Sequence, residues 1–159
     1  MQSKFAKTGL WISLALYVIC LTQDGYYIDG ADPEAWSPAY GLLFIGWIGI
    51  FAGMFAWLAN PLLFASWFLL ATSRHRAAFF VSLGALLFAM SFLLHSEVIS
   101  SAAPTYSRII GYGMGYWLWI ASALILVVGA GVLTFRPKSD ARTEPRAEEP
   151  ESIKGVRLE

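Results

Sequence analysis

Charge is scarce where this chain is most apolar. No Asp, Glu, Lys or Arg occurs from Ala35 to Ser73, between Ala77 and Leu94, or between Ile109 and Phe135. Ionisable residues inside a membrane mark proton relays, ion paths and counter-ions. Proton-coupled transport and voltage sensing therefore have no group to work with. Cysteine is almost as rare: Cys20 is alone, which excludes an intrachain disulfide, a multi-cysteine metal site and electron shuttling through cysteine pairs. Within an apolar helix such a residue packs as a small hydrophobe. The net charge is zero and no basic face suggests nucleic acid. No Gly-rich phosphate loop, nucleophile elbow or paired-histidine zinc motif is present.

What the chain does hold is 57% hydrophobic and 16% aromatic residues, with 14% charged against about 25% in an ordinary soluble domain. Twelve of its 22 charges follow Phe135. The first 135 residues thus read as an all-α integral membrane bundle. Taking about 20 residues per crossing, four transmembrane helices are expected at about 5–22, 40–71, 77–95 and 109–135. The N-terminal run has the outline of a secretory signal without a small-x-small cleavage site, and is read as an uncleaved first span. Residues 136–159 mix six basic and six acidic side chains with no aromatic and are expected to form a disordered cytoplasmic tail.

The connections sort by charge. Lys4 and Lys7 precede the first span, Arg74 and Arg76 join the second to the third, and Arg136 and Lys138 follow the fourth. Asp24, Asp29, Asp32 and Glu34 fill the loop between the first two. The positive-inside bias puts every basic cluster and both termini in the cytoplasm, as expected for a bacterial inner-membrane protein. That holds only if 40–71 crosses once. As one helix it would be about 48 Å long, too much for a single crossing, while two full crossings need about 40 residues.

An interrupted helix resolves this, and the break is expected at Asn60-Pro61, beside Trp57. Pro61 has no N–H for the carbonyl of Trp57 and crowds it. Asn60, the only asparagine in the chain, has donors and an acceptor for the freed backbone. The plain reading is a repaired kink. The sharper one is a broken helix lining a ligand site.

Small residues mark candidate helix-packing faces: Gly46, Gly49 and Gly53 in the second span, Gly111 and Gly115 at the fourth. Trp11 at the cytoplasmic entry, with Tyr26, Tyr27, Trp36, Tyr40, Tyr106, Tyr112, Tyr116, Trp117 and Trp119 on the outer side, suit an interfacial belt, the outer group being otherwise an aromatic groove for a lipid or apolar ligand. His95, Glu97 and Arg108 form a candidate polar cluster on the outer face, either a polar cap on the third helix or an acid–base pair. The acidic loop lacks the spacing of a calcium loop. No catalytic residue, metal or cofactor is expected. The functional expectation is a membrane protein acting by protein–protein interaction, with the bilayer, another membrane protein or itself as partner, as an accessory subunit or immunity-type protein. The alternative is a transporter or channel for a lipid-like molecule using the break at Asn60-Pro61.

Overall fold

The computed structural model describes residues 2–29, 38–99 and 106–135, with side chains from Lys7 onward. Asp32, Glu34 and Trp36 of the acidic loop, and the tail 136–159, lie outside the described residues. The rest is mostly helical. Four helices pack side by side: α1 (Gln2–Leu21), α3 (Ala59–Ala71), α4 (His75–Ser91) and α5 (Met114–Phe135). They form the ring α1–α5–α4–α3, with a lesser contact across it between α3 and α5. Ser13, Tyr17 and Cys20 of α1 are buried at helical spacing, as are Ala78, Ser82, Ala85 and Ala89 of α4. Small residues at these seams let the backbones approach closely.

The opposite faces are apolar too. Phe68 is 69% exposed, and Trp11, Phe80, Leu87 and Val128 also point away from the core, a surface suited to lipid rather than water. Two helical stretches, His75–Leu94 and Met114–Phe135, are long and apolar enough to cross a membrane; Lys7–Leu21, Ala39–Ala52 and Phe55–Ala71 are shorter apolar helices. The α3–α4 turn closes through Ser73, held at φ 62°, where the Arg74 N–H donates to Leu69 O at 2.9 Å.

A small sheet caps one end of the bundle. It has three antiparallel strands in the order β1 (Tyr26–Ile28), β3 (Tyr106–Tyr112), β2 (Glu97–Ile99). The all-α expectation missed it, because an apolar run such as 109–112 does not by itself distinguish strand from helix. The fourth helix consequently begins at Met114 rather than at 109. Gly113 explains the tight junction: its N–H donates to Gly25 O at 2.9 Å, and a Cβ there would collide with the carbonyl of Asp24.

The expected break at Asn60-Pro61 falls elsewhere. From Ala39 the chain forms α2 (Ala39–Ile45), which tightens to a 3₁₀ helix over Gly46–Ala52. It stops at Gly53, whose φ of 78° favours glycine, and Met54 is extended. A second 3₁₀ turn, Phe55–Leu58, then leads into α3. Pro61 is the third residue of α3, within the first turn, where a missing N–H costs no intrahelical bond. The turn also keeps both ends of this segment at the sheet end. Ala39 N–H donates to Gln23 O at 3.0 Å beyond the end of α1, and Ala52 lies beside His95 and Glu97. Residues 39–52 therefore lie across one end of the bundle as a roof, and only 55–71 runs along it.

Candidate functional site

Beneath that roof is a cavity of about 500 Å³, within the 300–1,000 Å³ typical of small-molecule sites. Its floor is the end of α1 (Tyr17, Cys20, Leu21) with Asn60 of α3. Its walls are Tyr26, Phe92, Val98, Tyr116 and Trp119, and its roof is Leu42, Leu43, Gly46, Gly49 and Trp57.

Glycine shapes the roof. A Cβ on Gly46 would stand 2.8 Å from Trp57 Cδ1, so only glycine lets the indole lie against α2. The indole then donates from Nε1 to Leu43 O at 2.8 Å. Gly49 packs on Met54 more loosely: a Cβ there would stand 3.4 Å from that of Met54, in ordinary contact. Both glycines pack within their own segment, not between two spans. Gly53 makes the turn, with open space where its Cβ would be. Gly111 sits in β3 against Tyr27, and Gly115 lines the cavity while its N–H donates to Asp24 O at 2.9 Å.

The polar groups of the cavity are few, and several are committed. Tyr116 donates its hydroxyl to Ala89 O at 3.1 Å, tying α5 to α4. Tyr17 donates to Asn60 Oδ1 at 3.0 Å, tying α1 to α3. This is the role Asn60 fills in place of mending backbone around Pro61. Tyr17 is itself fixed by edge-on contacts with Phe64 and Trp67, at centroid distances of 5.6 and 5.2 Å. Above the helices, burial pushes the Tyr26 phenol up to about 12, since a phenolate has no water there.

One turn deeper, α1 and α5 are joined by a reciprocal serine pair. Ser13 Oγ donates to Ser122 O and Ser122 Oγ to Ser13 O, both at 2.9 Å, with the two hydroxyl oxygens 3.0 Å apart. Trp67 Nε1 donates to Ser13 Oγ at 3.0 Å. Sequence reasoning singled out neither serine, nor Tyr17. The available signal was a hydroxyl-bearing residue inside an otherwise aliphatic run.

The outer polar cluster is brought together only in part. His95 and Glu97 border a shallow hollow with Ala52 and Tyr106. Arg108 faces Glu97 in the β2–β3 register, and both side chains are exposed. His95 Nδ1 lies 3.1 Å from Ser91 O, and its ring stacks on Phe92. The histidine thus finishes α4 and lies outside the main cavity. Among the described residues no three His, Cys, Asp or Glu side chains cluster to share a metal.

Comparison with models of known protein families, with curated proteins and with solved structures finds no match. The cavity carries the functional argument by itself.

Proposed function

We propose that this chain is a four-span membrane protein that takes an apolar molecule from the bilayer into the cavity beneath residues 39–52, binding or passing it on without chemical change. The observation that carries this reading is the cavity itself: a ligand-sized space, walled by aromatic and aliphatic side chains and overlain by a separate structural segment. α1, α3 with its preceding 3₁₀ turn, α4 and α5 are the four spans. The sorting of charge supports their orientation, with both termini cytoplasmic. Lys7, Arg74 and Arg76 belong to the bundle end away from the sheet, while Asp24, Asp29 and Glu97 belong to the sheet end. The roof has no charge of its own and exposes Phe44 and Phe51 outward, Phe51 by 84%, as a segment lying in the membrane interface would.

The test is to purify the protein in mild detergent and identify what stays bound by native mass spectrometry and organic extraction. The wild type retains a small apolar molecule. Gly41→Leu, at a cavity-lining position with open space for a side chain, loses it. A folded wild type that carries nothing above the detergent background overturns the proposal. A second reading, an accessory subunit docking on another membrane protein, rests on the exposed roof face at Tyr40, Phe44, Trp47 and Phe51. It is favoured if mutating that face releases a co-purifying protein while the cavity variant has no effect.

A further inference from the structure

Among the polar groups lining the cavity, the amide of Asn60, the Tyr26 hydroxyl and the Trp119 indole N–H bear on the chemistry of the occupant. Asn60 is only 7% exposed. Its Oδ1 is taken by the Tyr17 hydroxyl, and its Nδ2 has no partner among the described residues. The sealed side-chain polar atoms left without partners there are His75 Nδ1 and Thr134 Oγ1. Asn60 Nδ2 is not among them, and its residue lines the cavity. An amide N–H₂ facing an apolar space costs about 1–3 kcal/mol unless something accepts from it. Tyr17 decides which end of the amide is offered: because it donates to the oxygen, the nitrogen is left for a ligand.

Charge decides the rest. None of the described residues lining the cavity is Lys, Arg, His, Asp or Glu. A carboxylate or phosphate head would enter with no counter-charge, which is strongly disfavoured in an apolar site.

We propose that Asn60, held by Tyr17, donates from Nδ2 to the carbonyl oxygen of an uncharged, lipid-like molecule whose apolar body lies against Tyr26, Trp57 and Trp119. This rests on the cavity being a ligand site and adds the ligand's class and its anchor. The ligand is an ester- or ketone-bearing neutral lipid, and free fatty acids are rejected.

The experiment uses the full chain in mild detergent with two photoreactive probes of equal chain length, a diazirine-bearing fatty acid methyl ester and the corresponding free acid at pH 8. Crosslinked peptides are mapped by mass spectrometry. The ester is expected to label 17–28, 39–60 and 114–119 saturably, with the acid about tenfold weaker. Asn60→Leu, which keeps the size and removes both donors, is expected to weaken ester labelling about tenfold, as one lost hydrogen bond would. Equal labelling by ester and acid overturns the neutral class while leaving the cavity a ligand site. Equal ester labelling of wild type and a folded Asn60→Leu overturns the anchor. Failure of both probes to label these peptides in folded wild type removes the inference and the binding reading together. The ester–acid comparison needs no variant, so it stands even where Asn60→Leu fails to fold.

Discussion

The serine pair between α1 and α5 offers a quantitative test of how the bundle is held together. Replacing Ser122 by alanine removes one interhelical donor to Ser13 O and leaves Ser13 with its own acceptor and with Trp67. Within membranes such a bond is worth about 0.6 kcal/mol on average and up to about 1.7, so Ser122→Ala is expected to cost about 1 kcal/mol. Replacing Ser13 removes a donor as well, and it also orphans the Trp67 indole N–H, which adds about 1 kcal/mol or more. Ser13→Ala is therefore expected to cost about twice as much. Because the hydroxyls are only 3.0 Å apart, the double variant should fall short of the sum. In a Trp67→Phe background, Ser13→Ala should cost no more than Ser122→Ala. Reversible unfolding in detergent–lipid micelles measures all of these. Equal single costs that simply add, with no change in the Trp67→Phe background, would refute the network.

Gly113→Ala should destabilise by about 2 kcal/mol or more, because the new Cβ meets the Asp24 backbone. Gly129→Ala, with nothing within 4 Å, should leave the unfolding midpoint nearly unchanged. Trp57→Phe removes the bond to Leu43 O and should speed amide exchange across 39–52 roughly fivefold, as about 1 kcal/mol implies, while exchange in α5 stays constant. The Tyr26 phenol has its pKa raised from 10 to about 12 in the folded state. Its stabilising contribution is therefore intact below pH 10 and is lost between pH 10 and 12, up to about 3 kcal/mol. Tyr26→Phe should lose less stability than wild type across that window and behave alike below it.

The sequence made the four long helical elements readable because apolar runs and small-residue stripes repeat at helical spacing. It also singled out Asn60, Trp57, Gly46, Gly49 and Gly115, all of which line the cavity. The purpose read into them was incomplete. Proline looked like the breaker, yet within a first turn it is tolerated, and the reversal belongs to Gly53, whose role shows only in its positive φ. The strands were hidden because β1 and β2 are three residues each and Ile109 and Ile110 extend an apolar run into helix α5. The pairing of Tyr17 with Asn60 spans 43 residues of sequence, and no local pattern encodes a contact of that range.

The cavity exists only while residues 39–52 stay at the sheet end rather than crossing. Single cysteines introduced by Ala52→Cys, Ser96→Cys and Arg76→Cys, each in a Cys20→Ala background, can be labelled in intact cells with a membrane-impermeant maleimide. Positions 52 and 96 are expected to react from the same side, and position 76 only after permeabilisation. If position 52 instead behaves like position 76, the segment crosses the membrane, and the cavity has no roof.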